Sequence, residues 1–284
     1  MTLGRFVRTP KGITLLVLGV LMIVSAAGDG ARLVLPGVAG AVIAAVIIDA
    51  AMLRARKHRW VFPDGALITA IIVAAVLSPH MPWYVATATA AAAVISKYIF
   101  RGGPANVFNP AALALVVTFY PLHTGQSWWG ALSDLPPAGV AVLVAGGAFT
   151  VYRVNKLPVA LAFLGAYFTL LTVTAFVGSP APVASLYRAP DIHAALYFAF
   201  FMVTDPPTSP PSARSQLIFG AIVAIAVYAA FELIGAAYFR LAGLLIGNAW
   251  EGLRRHRERA ARTAAIRPRA QAPAPPSLTD RSAS

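Results

Sequence analysis

Apolar residues follow one another along most of the chain in ten runs, which short polar or charged stretches separate. A helix of roughly 20 apolar residues is long enough to cross the hydrocarbon core of a bilayer. Three of the runs are shorter and border polar stretches that contain proline. The pattern predicts an all-α polytopic membrane protein with about ten transmembrane segments, some of them short broken helices. The segments are residues 13–27, 33–53, 66–77, 83–100, 111–120, 138–152, 157–177, 192–203, 216–234 and 236–250.

Composition supports a membrane protein and excludes several other classes. Hydrophobic residues make up 58% of the 284 residues and charged residues only 12%, with a mean hydropathy of +0.72. These values exclude a soluble globular domain. The chain contains no cysteine. Disulfides, cysteine-ligated zinc and cysteine-held iron–sulfur clusters are therefore excluded, and no metal site is predicted.

Positive charge predicts the orientation of the segments. The net charge of +13 lies mostly in loops beside the segments and in the C-terminal tail, and cytoplasmic loops collect Lys and Arg. If the N-terminus is cytoplasmic, only Arg32, Arg188 and Arg240 fall on the opposite side. We therefore predict a cytoplasmic N-terminus at residues 1–12 and a transmembrane domain at residues 13–250. A basic cytoplasmic tail with a Pro/Ala-rich, disordered end follows at residues 251–284. The partner of these charges is the lipid bilayer, not nucleic acid.

The two halves of the transmembrane domain, residues 13–122 and 138–250, follow one plan. In each half a short apolar segment ends at a proline-rich polar stretch, which we call the first break (residues 78–82) and the second break (residues 204–211). Five segments per half make the repeat inverted. Inverted repeats with interrupted helices place their binding site near the midplane, between the repeats.

Several motifs resemble a known family. The similarity runs in order from Asp64 to Asn248, and the stretch Phe-Phe-Met-Val-Thr-Asp-Pro in residues 200–206 is its most specific part. The chain resembles the NqrB/RnfD family, the membrane subunits of sodium-pumping NADH:quinone oxidoreductase and of the Rnf electron-transport complex. The other matching positions are Asp64 to Thr69, Ser78-Pro79, Lys97, Gly102-Gly103, Asn106, Phe108 to Ala111, Thr208 to Pro210, Arg214 and Leu217 to Gly220.

The resemblance implies ten spans in an inverted repeat, bound flavin, and electron transfer coupled to ion movement. It also implies a bacterial inner membrane and partner subunits that carry flavin or iron–sulfur clusters. One departure changes the cofactor prediction, because family members with covalent FMN attach it to a Thr in a Ser-Gly-Ala-Thr motif. This motif is absent from the chain. We therefore expect FMN or riboflavin to be held non-covalently, and we do not expect covalent FMN.

The second break carries the first group of candidate cofactor-binding residues, which are Thr204, Asp205, Thr208 and Ser209. Their carboxylate and hydroxyl oxygens suit hydrogen bonds to a flavin or coordination of a cation. The alternative is that Asp205 and Ser209 only cap helix ends. Both interpretations are open at this point.

Three further candidates lie outside the second break. Lys97 can pair with an anion or extend its ammonium to the membrane interface. Asn109, before Pro110, is typical of a helix cap whose free amides suit an anion, and Asp64 is typical of a cap before the third segment. Asp49 is expected at the interface, and Trp128 with Trp129 as an interfacial anchor or a stacking surface for a flavin ring.

Two functions fit these residues. The first is an electron-transfer subunit that holds flavin and passes electrons between partner proteins and the membrane. The second is a channel- or transporter-like protein that uses both breaks as a midplane site for a solute or ion. No nucleotide-binding loop or catalytic triad is present. No catalytic residue is therefore predicted, and any enzymatic role is that of a subunit in an oxidoreductase complex.

Overall fold

The computed structural model describes residues 3–102, 105–133, 138–177 and 180–270. Regular structure in this part of the chain is almost entirely helical, which confirms an all-α protein. A two-residue hairpin pairs β1 (Arg101–Gly102) with β2 (Ala105–Asn106). The helices are α1 Leu3–Val7, α2 Pro10–Asp29, α3 Ala31–Lys57, α4 Asp64–Val76, α5 Trp83–Ile99, α6 Pro110–Val117, α7 Ala138–Arg153, α8 Leu157–Val177, α9 Pro180–Leu186, α10 Asp191–Phe198, α11 Ala213–Glu232 and α12 Phe239–Ala270.

Each of the ten predicted apolar segments overlaps one of these helices. Within the described residues, four helices are long and apolar enough to cross a membrane: α2, α3, α8 and α11. Many of their large apolar side chains are exposed, as with Ile23 at 73% and Phe176 at 87%, and a bilayer is the solvent that suits such surfaces. The chain is therefore a multi-pass membrane protein. Helices α4, α7 and α10, the last continued by a π-helical turn at Ala199–Val203, are apolar but shorter.

Three helix pairs recur in both halves. In the first half α2 packs on α4, α3 on α5, and α5 on α6; in the second half α7 packs on α10, α8 on α11, and α11 on α12. The first helices of the two halves, α2 and α7, touch each other, and so do α6 and α12. The number of membrane crossings and the inversion of the repeat stay predictions.

Glycine allows the closest of these helix contacts. A Cβ added at Gly220 of α11 would lie 2.7 Å from the carbonyl oxygen of Val159 in α8. On α12, Gly243 and Gly247 face Val227 and Val223 of α11 in the same way. Small residues four positions apart let helix backbones approach closely in membranes, where packing replaces the hydrophobic effect between helices.

The last helix departs from the predicted plan. A short segment closes the first half, α6 with 8 residues, but α12 continues for 32 residues without a boundary at residue 250. Its basic part continues as helix because Arg254 and Arg255 pair with Glu251 one turn earlier, at 2.7 and 2.6 Å. The predicted disordered end is residues 267–284; its first four residues belong to α12, and residues 271–284 lie outside the described residues.

The predicted role of Trp128 and Trp129 as interfacial anchors is wrong. Both indoles are buried, at 6% and 4% exposure, because the loop after α6 folds back onto the end of α4. Trp129 Nε1 donates to the carbonyl oxygen of Ala74 at 2.7 Å. The ring of Trp128 lies against Tyr197 and Phe198, so protein groups occupy the surface that a flavin ring would need.

Candidate functional site

The second break begins where α10 loses its helical hydrogen bonds. The hydroxyl of Thr204 donates back to the carbonyl oxygen of Phe200 at 2.5 Å. After it, the amides of Thr208 and Ser209 both donate to the carbonyl oxygen of Asp205, at 3.2 and 3.0 Å, which closes a tight turn. The hydroxyl of Thr208 donates to Asp205 Oδ2 at 2.9 Å. The carboxylate is thus held by its own turn.

The capping interpretation of Asp205 and Ser209 is wrong. Helix α11 is capped by Ser212, whose hydroxyl accepts from the amide of Ser215 at 3.4 Å. The reason is local, because a residue that precedes proline is disfavoured in the helical region. Pro210 and Pro211 therefore delay the start of the helix to the residues that follow them.

Proline also leaves the second break with more acceptors than donors. Its four prolines carry carbonyl oxygens but no N–H group, and a buried carbonyl without a donor is costly. Lys156, only 5% exposed, supplies two of the missing bonds. Its Nζ donates to the carbonyl oxygens of Ser209 at 3.2 Å and Pro210 at 2.6 Å.

Three more side chains donate to carbonyl oxygens of the second break. The guanidinium of Arg255 donates to the carbonyl oxygens of Pro207 at 2.8 Å and Ser209 at 2.9 Å. Asn248 donates to the carbonyl oxygen of Thr208 at 3.4 Å, and Gln216 to that of Pro211 at 3.2 Å. We call these four donors the carbonyl clamp; its members are Lys156, Gln216, Asn248 and Arg255.

Asn109 joins the two halves of the chain at this point. Its side-chain oxygen accepts from the amide of Ala112 at 3.0 Å, which confirms the predicted cap of α6. Its backbone amide donates to Asn248 Oδ1 at 2.8 Å, and its side-chain nitrogen to the carbonyl oxygen of Met202 at 3.4 Å. The start of α6 is therefore tied both to α12 and to the π-helical turn that precedes the second break.

A cavity of about 790 Å³ lies beside the second break. Five of the seven predicted site residues line it, and Thr208 and Ser209 do not. These two are buried, at 1% exposure each, and support the turn from behind. The predicted residues in the wall are Asp64, Lys97, Asn109, Thr204 and Asp205.

The wall also contains a buried ion pair. Lys97 Nζ lies 3.4 Å from Asp49 Oδ1, and the hydroxyl of Tyr98 donates to the same oxygen at 2.8 Å. Asp49 is only 4% exposed and the Lys97 side chain 15%. Asp49 and Lys97 are therefore buried and pair with each other, and their depth in the membrane stays a prediction.

Asp64 is the first residue of α4, not its cap. The cap position is Pro63. The Asp64 carboxylate accepts from the amide of Gly65 at 2.6 Å and from Lys11 Nζ at 2.8 Å. It therefore serves the first turn of α4, where negative charge is favourable, and fixes α2 against α4.

Two ionisable groups at the second break have shifted pKa values. Burial raises the pKa of Asp205 to about 6, against the opposing effects of the Thr208 hydrogen bond and the Lys156, Lys97 and Lys11 charges. Burial lowers the pKa of Lys156 to about 8, although the Asp205 charge raises it. Neutral forms of both groups are thus accessible near neutral pH.

Sequence reasoning missed the carbonyl clamp and the partner of Lys97. The excess of carbonyl groups in the second break is visible in its prolines, but nothing in the sequence says which distant donors meet it. The signal for Asp49 was stronger. Asp49 and Lys97 are isolated opposite charges inside apolar segments, and such residues usually pair with one another.

The fold and this cavity define a multi-pass helical membrane protein with an ionisable site at a broken helix. Residues 7–136 and 137–249 match the model of the NQR2, RnfD, RnfE family. The chain belongs to this family, which confirms the resemblance in the sequence.

Curated relatives are named as a subunit of an ion-translocating oxidoreductase complex. The protein from Ectopseudomonas mendocina is 30% identical over 247 residues, covering 65% of this chain and 71% of the relative. That from Shewanella amazonensis is 26% identical over 260 residues, covering 66% and 74%. That from Tolumonas auensis is 25% identical over 257 residues, covering 64% and 74%.

Proposed function

We propose that this protein is the membrane subunit of an Rnf-like electron-transport system and holds flavin non-covalently in the cavity at the second break. One observation carries the proposal. The stretch that most resembles the family, residues 200–206, forms a wall of a cavity of about 790 Å³ that also contains Lys97 and Asn109. Small-molecule sites commonly have volumes of about 300–1,000 Å³.

The wall has the groups that a flavin requires. Phe200 and Phe201, at 7% and 5% exposure, offer apolar surface to an aromatic ring system. Asn109, Thr204 and Asp205 offer donors and acceptors, which suit a ring edge that bears carbonyl and N–H groups. When bound, a flavin supplies electron transfer; the protein binds it, orients it and sets its electrostatic surroundings.

The ionisable groups of the cavity supply charge and a proton-binding site beside the ligand. Lys97 brings a positive charge into the cavity, and its pairing with Asp49 keeps the ammonium in place. Asp205 holds a proton below a pH of about 6. The cavity can therefore accommodate an anionic group at Lys97 and exchange a proton at Asp205.

The remaining parts of the proposal follow from the family. The relatives are named as subunits of an ion-translocating complex, and we infer that this chain also works with membrane subunits that carry flavin or iron–sulfur clusters. We further infer ten spans in an inverted repeat, a bacterial inner membrane, and cytoplasmic termini. The matched packing of the two halves and the bias of positive charge support this topology.

The test is the colour of the purified protein. We expect flavin absorbance in detergent, and flavin in the supernatant after denaturation because no covalent link is present. Asp205→Asn should lower flavin content about tenfold, the factor for loss of an interaction of roughly 1.4 kcal/mol. Glu232→Gln, an exposed acid outside the cavity wall, is the matched control and should keep full content. A colourless protein expressed with added flavin would exclude the redox function.

A transport function is the second candidate. The observation in its favour is that the cavity brings together ionisable groups at a broken helix, the setting in which transporters bind ions and solutes. It predicts a colourless protein that carries an ion or solute across liposomes, with flux that Asp205→Asn lowers. Bound flavin without flux would reject it.

A further inference from the structure

The cavity wall carries an excess of positive charge. Five cations stand against three carboxylates, which leaves two positive charges uncompensated. The carboxylates are Asp49, Asp64 and Asp205. The cations are Lys11, Arg56, Lys57, Lys97 and Arg101.

The pairing of these groups concentrates the excess in one place. Lys11 pairs with Asp64 at 2.8 Å, and Lys97 pairs with Asp49 at 3.4 Å. Within the described part of the chain, the other three cations form no ion pair. We call them the mouth cations; they are Arg56, Lys57 and Arg101.

The mouth cations lie at the exposed end of the cavity. All three are exposed residues, whereas Thr204 and Asn109 at the other end are 3% exposed. The guanidinium of Arg56 lies 4.8 Å from the centre of the Tyr98 ring, a cation–π contact that holds it against the wall. The cavity thus has buried aromatic rings and a buried ion pair in its interior and a cationic entrance.

Two helix N-termini add to the positive potential. Helix α4 begins at Asp64 and α6 begins at Pro110, and the first residues of both line the cavity. Their dipoles direct the positive end at the space between them. Lys97 Nζ lies against the first turn of α4, 3.5 Å from where a Cβ on Gly65 would be. Positive charge therefore reaches from the entrance along the wall.

We propose that the cavity takes an amphiphilic ligand that carries a phosphate, with the phosphate among the mouth cations and the apolar or aromatic body inside. This inference rests on the proposed function for the site but adds the ligand's charge. A phosphate brings about −1.5 to −2 charges near neutral pH, and arginine pairs with it through two parallel bonds. A phosphorylated flavin and an anionic phospholipid share this chemistry.

Membrane topology is the competing explanation for these cations, since cytoplasmic loops collect them in any case. The chain offers a matched set to separate the two. Arg54, Arg59 and Arg214 are also exposed and lie on the same predicted side, but they do not line the cavity. If the cations serve only membrane orientation, the two sets should be equivalent. If the mouth cations bind a phosphate, only their loss should weaken its binding.

The experiment titrates the full-length protein in detergent with FMN and with riboflavin, following flavin fluorescence at low ionic strength. We expect FMN to bind at least about tenfold more tightly, in line with charge-assisted bonds to phosphate. The triple variant Arg56→Gln, Lys57→Gln, Arg101→Gln should lose this preference and keep its riboflavin affinity, which also reports that it is folded. The control triple variant at residues 54, 59 and 214 should keep the preference.

Two further measurements complete the test. Added salt should reduce the FMN preference of the unmodified protein by screening, which tests the charge effect without any substitution. Native mass spectrometry with phosphatidylglycerol and with diacylglycerol of the same acyl chains tests the lipid source. Retention of phosphatidylglycerol alone, lost in the mouth variant, would support a lipid phosphate even if neither flavin binds, and would then overturn only the flavin function.

Other outcomes overturn the inference. Equal affinities for FMN and riboflavin, or equal behaviour of the mouth and control variants, would reject a phosphate at the entrance and leave the flavin function intact. Failure to bind either flavin or phosphatidylglycerol would reject both proposals together.

Discussion

The two breaks differ in the hydrogen-bond donors that hold them. Both follow a short apolar helix, α4 for the first break and α10 for the second, and both contain prolines that cannot donate hydrogen bonds. Both therefore leave carbonyl groups that need donors inside a membrane protein. What differs is the source of the donors.

At the first break, the end of α4 and Ser78 are joined to the loop after α6 mainly by backbone hydrogen bonds. The loop after α6 runs alongside it, and the amides of Ser127 and Trp128 donate to the carbonyl oxygen of Val76 at 3.0 and 3.2 Å. The amide of Ser78 donates to the carbonyl oxygen of Gly125 at 2.8 Å, and Trp129 adds its indole. Gly130 permits this contact, because a Cβ there would collide with Ala75. None of the donors in this set is a charged side chain.

The second break is held by side chains of the carbonyl clamp, two of them cations. Charged donors make stronger hydrogen bonds than amides but cost more to bury. Charged donors also give the second break a positive electrostatic potential, which a bound ligand or proton can change. The cavity borders the second break, whose donors include two cations, and the first break lies outside its wall.

Loss of Lys156 should have the largest effect. Lys156→Met leaves the buried carbonyl oxygen of Pro210 without its donor and that of Ser209 with Arg255 alone, and we expect about 3 kcal/mol less stability. Flavin content should fall as well, because the turn that holds Thr204 and Asp205 loosens. The measurement is the thermal unfolding midpoint in detergent together with released flavin. Arg59→Met, at an exposed cation, is the control. An unchanged midpoint would mean that the carbonyl groups find other donors.

Loss of the Trp129 hydrogen bond should affect stability alone. Trp129→Phe keeps an aromatic ring but removes the donor to the carbonyl oxygen of Ala74, at a cost of about 2 kcal/mol. Because the first break lies outside the cavity wall, flavin content per folded protein should not change. Flavin loss equal to that of Lys156→Met would show that the two breaks act as one unit and would end the distinction drawn between them.

Some of this arrangement is encoded locally and some is not. Run length determines the ten helical segments and proline determines the breaks, so both were predictable from neighbouring residues. The donors are not local, since Lys156 and Ser209 are 53 residues apart. Likewise, Trp128 and Trp129 match an interfacial anchor by type, and only the return of their loop onto α4 buries them. The donors to the second break and the burial of the two tryptophans depend on tertiary contacts, which the local sequence does not specify.

The pH dependence of stability should distinguish the breaks with a smaller effect. The folded pKa of Asp205, about 6, lies above its ordinary value of 3.8, so the folded state binds the proton more tightly. Stability should therefore rise as the pH falls from 6 towards 3.8. Between pH 6 and 5 the gain is at most about 1.4 kcal/mol, the value of one pKa unit. Lys156 behaves in the opposite way, since its folded pKa of about 8 lies below 10.5, and stability should rise as the pH increases from 8 towards 10.5.

Substitution of Asp205 and of Lys156 separates their contributions to the pH dependence of stability. Asp205→Asn should remove the rise on the acidic side, measured as the unfolding midpoint against pH relative to the unmodified protein. Lys156→Met should remove the rise on the alkaline side. Trp129→Phe, which removes an uncharged donor to the end of α4, should shift the whole curve downward and leave its shape intact. If Trp129→Phe altered the pH dependence as much as Asp205→Asn does, the ionisable character assigned to the second break would belong to the whole fold instead.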